Sequence, residues 1–280
     1  MYLIKRKKVL NKQTTEMEIL APEIAIKALP GEFIILRVDE KGERIPLTIA
    51  GRNLKEGTVK IIFQIVGTTT FKLNLLNEGD YISDFVGPLG NPTKLDNLKK
   101  VAIIGGGVGC AIALPLAQKL HEEGVIVHAI TGFRNKDLVI LEDEFSTYSE
   151  KLIVTTDDGS YGEKGVVTTQ LEKLISEGNK YDEVFAIGPI VMMKYVSLLT
   201  KKYNIKTTVS MNPLMIDGTG MCGGCRLKVN NTIKFACVDG PDFDGHEVDF
   251  DEAIKRGAVY QKEEKHSYDK ACNLFKKEVR

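Results

Sequence analysis

The hydrophobic pattern of the chain changes near residue 99, and this change constrains the fold more than any other feature. Before it, short runs rich in Ile, Val, Phe and Thr are separated by glycine-containing turns, a pattern typical of a small antiparallel barrel or sandwich. After it, apolar strands alternate with helical patterns, which is typical of a doubly wound parallel sheet. We therefore expect a β domain over residues 1–98 and an α/β domain over residues 99–212.

A glycine-rich loop with three of the five cysteines follows the α/β domain. Cys222, Cys225 and Cys237 lie in the stretch that begins at Asp217. Soft thiolates at this density predict a metal centre, since an ordinary turn has no need of them. Their spacing matches the C-x4-C-x2-C pattern and distant fourth Cys of plant-type 2Fe-2S loops, with Asp217 in place of the first Cys. A zinc site completed by His246 is the alternative.

The cysteine loop and its surroundings define a metal module over residues 213–245, in which we expect a hairpin across Asn230-Asn231. Residues 246–280 are left as a tail. The tail is charged, and we expect either a solvated helix or an element that docks on a partner. The number of Lys and Arg residues equals that of Asp and Glu, so the chain has no net positive charge that would attract nucleic acid or an anionic membrane. The chain has neither a signal-peptide pattern nor an 18-residue apolar run. We therefore expect a cytoplasmic protein with no nucleic-acid partner and no membrane insertion.

A run of glycines follows the first apolar strand of the α/β domain and leads into a helical pattern over residues 112–122. We expect this helix to begin at Ile112, with Pro115 marking a late start or a kink. The run reads Gly-Gly-Gly-Val-Gly over residues 105–109. Backbone N–H groups in such a turn, together with the helix N-terminus, can receive a pyrophosphate, although glycines at such turns also serve close packing. The residues assigned to dinucleotide binding are Gly106, Gly107, Val108 and Gly109.

Polar residues follow two other strands at the same edge of the expected sheet. Asp157 and Asp158 can accept hydrogen bonds from ribose hydroxyls and would repel a 2′-phosphate, which favours NAD(H) over NADP(H). Arg134 argues against this preference for NAD(H), because it could pair with a phosphate. The alternative is a polar turn that touches nothing. Another strand ends at Gly188-Pro189, and we expect these residues and Met192 to line a nicotinamide pocket, although Met at a helix start usually belongs to the core.

Two segments of the β domain are candidate cofactor contacts. Pro46 removes a backbone donor within a strand, so it belongs at an edge or beside a ligand. The threonines that follow Gly67 begin a turn of helix, which is a reasonable seat for pyrophosphate, with ordinary capping at a strand end as the alternative. The candidate residues in these segments are Arg44, Pro46, Leu47, Thr48, Gln64, Ile65, Val66, Gly67, Thr69 and Thr70.

Taken in order, these motifs resemble those of the ferredoxin-NADP reductase superfamily over roughly residues 1–245. The motifs are Pro46-Leu-Thr48, Gly67-Thr-Thr-Thr70, Gly87-Pro-Leu-Gly90, Gly105-Gly-Gly-Val-Gly109, Asp157-Asp-Gly-Ser160, Gly188-Pro189 and the cysteine loop. More narrowly, the chain resembles the electron-transfer subunits of dihydroorotate dehydrogenase and the small subunits of NADH-dependent reduced ferredoxin:NADP oxidoreductase. Asp217 is similar to the second group, because the dihydroorotate group has four Cys.

The resemblance implies FAD and a 2Fe-2S cluster as cofactors, NAD(H) as substrate, and a larger partner subunit that carries flavin and iron-sulfur clusters. It places Pro46, Leu47 and Thr48 along the flavin ring, with Thr48 as the catalytic contact near N5, and residues 64–70 along the ribityl chain and pyrophosphate. Arg44 stands one residue before the position where the superfamily places its Arg. It also implies electron bifurcation in the complex. The alternatives are a dihydroorotate dehydrogenase subunit and a non-catalytic NAD sensor with a zinc loop.

Overall fold

The N-terminal domain is an antiparallel sheet that curls around its own core, as expected. This computed structural model describes residues 1–260 and 262–269. The elements of the first domain are β1 (Tyr2–Asn11), β2 (Thr14–Leu20), α1 (Pro22–Lys27), β3 (Phe33–Arg37), β4 (Arg44–Asn53), β5 (Thr58–Gln64), α2 (Thr68–Leu75), β6 (Tyr81–Ile82) and β7 (Asp84–Leu89). The strands pair in the order β6-β1-β2-β5-β4-β3-β7. Alternate residues such as Ile4, Met17, Ile61 and Phe63 fill the interior, because successive side chains of a strand point to opposite faces.

The second domain is the expected parallel sheet with helices on both faces. Its elements are β8 (Lys100–Gly106), α3 (Gly109–Glu122), β9 (Ile126–Phe133), a 3-10 turn (Lys136–Leu138), α4 (Glu142–Thr147), β10 (Lys151–Thr156), β11 (Glu163–Lys164), α5 (Val167–Ser176), β12 (Glu183–Ile187), α6 (Ile190–Lys202) and β13 (Lys206–Ser210). The parallel strands lie in the order β11-β10-β9-β8-β12-β13. Successive strands of the chain are added on one side of β8 up to β11 and on its other side from β12, so the switch point lies between β8 and β12. Ligands of doubly wound sheets bind at the carboxyl ends of the strands beside such a switch point.

The cysteine module is smaller, and one of its strands pairs with the edge of the sheet of the second domain. It contains β14 (Arg226–Val229), β15 (Thr232–Phe235), α7 (Ala236–Asp239) and β16 (Asp242–Asp244). The expected hairpin across Asn230-Asn231 is confirmed, and both asparagines have positive φ, as such tight turns require. β16 pairs antiparallel with β13, so the module extends the sheet of the second domain.

Helix boundaries differ from the expected ones at several places. α3 begins at Gly109, three residues before the expected start at Ile112, and it runs through Pro115. Proline removes one backbone donor from a helix, and the apolar packing of this face compensates for that loss. The short helices α1 and α4 were not expected, because six-residue helices carry little periodic signal.

The tail packs partly on the N-terminal domain. α8 (Phe250–Gly257) is followed by residues 262–269, which are also helical. The hydroxyl oxygens of Ser267 and Thr68 lie 3.1 Å apart, and the Tyr268 ring meets Phe71 edge to face. The expectation of a solvated helix is therefore incomplete for this segment, while residues 261 and 270–280 lie outside the described part. No helix among the described residues combines the length and apolar character that a bilayer crossing needs.

Candidate functional site

The first part of the candidate site is a crevice at the switch point of the parallel sheet. A side chain on Gly106 would lie 2.5 Å from Met192 Sδ and 2.8 Å from Pro189, and Gly188 approaches Gly106 equally closely. Gly107 has a positive φ of 53° and open space beside it. The structure thus brings the glycine turn and the Gly188–Met192 segment together. The glycines leave room for a ligand to approach the protein backbone at the start of α3.

The second part of the crevice carries charges of both signs. The N–H of Asp157 donates to Phe133 O at 3.0 Å, and that of Asp158 donates to Arg134 O at 3.3 Å. Hydrogen bonds from Ser160 hold the pKa of the Asp158 carboxyl below its usual range, so this carboxylate is ionised at neutral pH. The predicted residues Arg134, Asp157 and Asp158 therefore share one edge, next to Lys136.

Sequence reasoning missed Asn135, which lies beside these residues. Its Oδ1 is the one buried side-chain N or O atom without a hydrogen-bond partner among the described residues. Asn135 begins the 3-10 turn, but its side chain does not cap that turn. Asn135 lies two residues beyond the end of β9, and a polar residue close after a buried strand was the available signal, as it was for Asp157 directly after β10.

The second candidate surface is the first half of β4, whose edge toward β5 is unpaired and which we call the β4 cleft. There β4 pairs with β3 alone, because its pairing with β5 begins only at Ile49. Ile45 and Leu47 pack against the core of the domain, so Pro46 and Thr48 face the other way. The Thr48 hydroxyl makes no hydrogen bond within the described residues. The strand thus presents a proline and a free hydroxyl to the cleft, whereas Leu47 offers only its backbone.

The N-terminus of α2 forms the far end of this cleft. Thr70 Oγ1 accepts hydrogen bonds from the N–H groups of Val66 and Gly67. This closes the turn and leaves the N–H groups of the first helical residues without helical acceptors. Thr69 Oγ1 donates weakly to Glu43, at 3.4 Å. The predicted residues Gln64, Ile65, Val66, Gly67, Thr69 and Thr70 are thus contiguous at this end.

Arg44, which was predicted to contact the cofactor, lies at the start of β4. It is exposed, and its side chain makes no hydrogen bond or ion pair within the described residues. It lies two residues before Pro46 and therefore shares the face of Pro46 and Thr48, unlike the core-facing Ile45. Its guanidinium is free to meet an anion from that face.

The cysteine loop brings part of the predicted ligand set together. Cys225 Sγ and Cys237 Sγ are 3.2 Å apart, and the Cys237 N–H points to Cys225 Sγ at 3.4 Å. Cys222 is exposed and receives the N–H of Gly224 on its sulfur, while Asp217 Oδ2 accepts the N–H of Cys222 at 2.8 Å. Thiol donors held by backbone N–H groups suit an iron-sulfur cluster.

The ionisation of two of these groups follows from their surroundings. Backbone hydrogen bonds, first of all from Thr219, lower the pKa of Asp217. Burial raises the pKa of the Cys237 thiol to about 12. No group of three or more His, Cys, Asp and Glu side chains is arranged as a metal site within residues 1–260 and 262–269. The His246 of the zinc alternative lies elsewhere, with Nε2 3.0 Å from Thr200 Oγ1.

The cysteine module packs directly on the strand beside the β4 cleft. A side chain on Gly218 would meet Ile35 at 2.8 Å and Leu89 at 2.9 Å. Phe33 and Ile35 are buried in one cluster with Cys225 and Cys237. Phe33 pairs with Thr48 and Ile35 with Pro46, and residues directly opposite in a sheet share a face. One face of the N-terminal sheet therefore serves both the β4 cleft and the cysteines.

Four exposed apolar residues surround the outer side of the cysteine loop. We call them the apolar collar: Met221 is 89% exposed, Leu214 53%, Ile216 49% and Val238 44%. Cys222, the exposed cysteine, belongs to the same loop. Exposed apolar residues grouped in this way are typical of surfaces that bind other proteins.

Comparisons with known proteins agree with this arrangement. Residues 212–249 match the model of the iron-sulfur cluster binding domain of dihydroorotate dehydrogenase B. A Thermotoga maritima homolog of the electron transfer subunit of dihydroorotate dehydrogenase B (NAD(+)) is 49% identical over 252 residues, covering 90% of this chain and 89% of that protein. The electron transfer subunit itself from Streptococcus pneumoniae is 36% identical over 233 residues, covering 80% and 91%.

A solved structure is similar over almost the whole chain. It comes from work on flavin-based electron bifurcation in NADH-dependent reduced ferredoxin-NADP oxidoreductase. The match has a TM-score of 0.91 and 46% identity, and it covers 96% of this chain and 97% of that one. The similarity thus includes both domains and the cysteine module.

Proposed function

The chain belongs to the family of dihydroorotate dehydrogenase B electron transfer subunits and their homologs, and from this premise we propose that it is the small subunit of an NADH-dependent reduced ferredoxin-NADP oxidoreductase. It is an NAD(P)H-dependent oxidoreductase subunit that uses FAD, a 2Fe-2S cluster and NAD(H). The whole-chain match at a TM-score of 0.91 carries the finer proposal. The alternative of a non-catalytic sensor has no support among these relatives.

The electron-transfer subunit of a dihydroorotate dehydrogenase is the second candidate. It is favoured by the family model that matches residues 212–249 and by the relative at 36% identity. Asp217 stands where that group has a Cys, which favours the first candidate. Both candidates require a larger subunit to receive the electrons.

When bound, FAD would supply the conversion between the two-electron hydride transfer of NADH and the one-electron chemistry of the 2Fe-2S cluster. The chain contributes alignment. In the proposal, the glycine turn and the N-terminus of α3 bind the pyrophosphate of NADH, and Asp157 and Asp158 accept its ribose hydroxyls. Gly188, Pro189 and Met192 would then hold the nicotinamide at the switch point.

The β4 cleft would hold the flavin ring, and α2 the pyrophosphate of FAD. Pro46 offers a flat surface without a donor, and the free Thr48 hydroxyl is the group that would meet the reactive edge of the ring. The N–H groups at the start of α2 favour anionic phosphate oxygens. Arg44 would add a positive charge from the same face of β4.

The packed contact between β3 and the cysteine module would separate a flavin held in the β4 cleft from a cluster held by the cysteines. Phe33 and Ile35 fill this contact with apolar side chains and exclude water from it. Cys225 and Cys237 lie in the same buried cluster, and Cys222 lies at the surface. The proposed exit is therefore through the apolar collar, where the larger subunit would dock.

Cofactor analysis of the full chain, produced with ample iron and riboflavin and purified without oxygen, tests this proposal. We expect flavin, iron and labile sulfide, and copurification with a larger flavin and iron-sulfur subunit from the native source. Cys225→Ala should lose iron and keep flavin, whereas Cys110→Ala should keep both, because the buried Cys110 packs behind the glycine turn. Zinc without iron, or a colourless protein, would refute the assignment. Copurification with a dihydroorotate-oxidising subunit would establish the second candidate.

A further inference from the structure

The segment that connects the N-terminal domain to the second domain is fixed on both sides. On one side, the Thr93 N–H donates to Pro30 O at 2.9 Å. On the other, the Asn91 N–H donates to Gly240 O at 2.7 Å, and its side-chain amide donates to Val238 O at 2.9 Å. Residues 90–93, which we call the connecting segment, thus lie between the N-terminal domain and the cysteine module.

A side-chain contact completes this junction. Thr93 Oγ1 donates to Asp242 Oδ2 at 2.5 Å. Asp242 is the first residue of β16, it pairs with Ser210 of β13, and the Ser210 hydroxyl also donates to it. The three parts of the molecule therefore meet at one carboxylate. The fit is close, since a side chain on Gly31 would come within 2.2 Å of Thr93 Oγ1.

Asp242 has hydroxyl donors, and no cation lies beside it among the residues that the structure describes. Glu183 on β12 is the neighbouring ionisable group, and its own partners are Lys206 at 2.8 Å and Thr208 at 2.5 Å. Burial, with a further contribution from the Glu183 charge, raises the pKa of Asp242 to about 6. The folded protein therefore favours the protonated carboxyl, and ionisation weakens the fold as the pH rises through this value.

We propose that Asp242, held by Thr93, is a positioning residue that fixes the cysteine module against the N-terminal domain and so sets the separation between flavin and cluster. This inference rests on the proposed function. Gly90 and Pro241 join the same junction to Phe33, since a side chain on Gly90 would lie 2.8 Å from the Phe33 ring and 3.0 Å from Pro241. Phe33 is the residue opposite Thr48, so movement at Asp242 is carried to the flavin side of the contact.

Hydrogen exchange and rapid kinetics on Thr93→Val, which removes the hydroxyl but keeps the shape, test the inference. We expect protection of the Asn91 and Thr93 amides to fall by about tenfold, because a hydrogen bond to the carboxylate is lost. After NADH is added, flavin reduction should stay within about twofold of wild type, while cluster reduction, followed by its electron paramagnetic resonance signal, slows by about tenfold. Thr93→Ser, which restores the donor, should restore both.

The titration of Asp242 gives a second readout. In the wild type, amide protection at the connecting segment should fall between about pH 4 and about pH 6, that is, from the ordinary pKa of the carboxyl to its raised pKa. Asp242→Asn keeps an acceptor and should make protection independent of pH. Asp244→Asn is the matched control, because Asp244 is exposed on the same strand and caps only the His246 N–H.

Wild-type protection in Thr93→Val, or an unchanged rate of cluster reduction in that variant, would overturn the inference. A preparation without flavin or iron would instead contradict the proposed function. The exchange measurement keeps its meaning in that case, because it reports the junction and not the cofactors.

Discussion

At the residue scale, the crevice for the nucleotide depends on a glycine that has no room for a methyl group. A side chain on Gly109 would lie 2.4 Å from Ile187 O and 2.6 Å from Gly188 Cα. These neighbours are backbone atoms and cannot turn away. We expect Gly109→Ala to push the turn away from β12, to lower the free energy of unfolding by about 1–3 kcal/mol, and to weaken NADH binding by about tenfold or more. Urea unfolding and calorimetric titration with NADH measure these effects.

Gly257 provides the control for this change. It is also helical, at the end of α8, but in the described part of the chain nothing beyond its own helix and chain neighbours lies within 4 Å of the position a side chain would take. Gly257→Ala should therefore be neutral or stabilising by up to about 1 kcal/mol. Equal behaviour of the two variants would show that the close approach at Gly109 does not shape the crevice.

The same residues show what a sequence can indicate at this scale. A glycine run between a strand and a helix predicts a tight turn, because few other residues allow that backbone. It does not reveal that Gly109 meets Ile187, since that contact depends on β8 and β12 becoming neighbours. Asn135 was overlooked for a related reason, because an unpaired oxygen becomes evident only when all its neighbours are in place.

At the element scale, Asp182 joins the beginnings of two parallel strands. Its Oδ2 accepts the N–H groups of Lys99 at 2.8 Å and Lys100 at 2.9 Å, just before β12 begins. These bonds, first that from Lys100, lower the pKa of Asp182 below its usual range. Stability from this carboxylate is therefore present above its unfolded pKa and is lost as the pH falls through its folded pKa.

We expect Asp182→Asn to lower the free energy of unfolding by about 1–2 kcal/mol at neutral pH, since a charge-assisted hydrogen bond is replaced by a neutral one. The difference from wild type should stay constant from about pH 7 to about pH 5 and should shrink as the pH falls below about 4. Urea unfolding over this range measures it. Asp96→Asn is the control, because Asp96 is exposed and makes no hydrogen bond within the described residues. A difference that stays constant with pH would contradict this role.

Elements with strong patterns were predictable, and those that depend on distant neighbours were not. The strands of both sheets and the hairpin of the cysteine module follow from local alternation and turn residues. β16 has only three residues, and it becomes a strand because the module folds back onto β13. Pro115 argued against an early start for α3, yet packing against the sheet overrides this local preference.

At the scale of the whole molecule, the order of the three parts was evident from the sequence, but their packing was not. The change in pattern near residue 99 and the cysteine spacing predict which parts exist and in what order. The contact of Gly218 with Ile35 and Leu89 joins residues far apart in the chain, so the local hydrophobic pattern cannot predict it. That contact brings the cysteines to the strand beside Pro46 and Thr48, on which the proposed electron route depends.

The last prediction concerns the apolar collar, where the route would leave the molecule. Met221→Asp places a charge at the most exposed position of the collar. If the larger subunit buries this surface, an unpaired carboxylate there should weaken assembly by about tenfold or more. Reduction of an added dye by NADH should remain within about twofold of wild type, because the side chain points to solvent. Size-exclusion chromatography of the native complex, with dye reduction of the isolated chain, measures both.

Leu54→Asp is the matched control, since Leu54 is 62% exposed in the turn between β4 and β5 and lies outside the collar. The same charge at that position should leave assembly unchanged, which separates a local effect from a general effect of added charge. If Met221→Asp assembles as well as Leu54→Asp, the larger subunit does not cover the collar. Electrons would then have to leave by another surface, and the exposed side of Cys222 would have no role in the transfer.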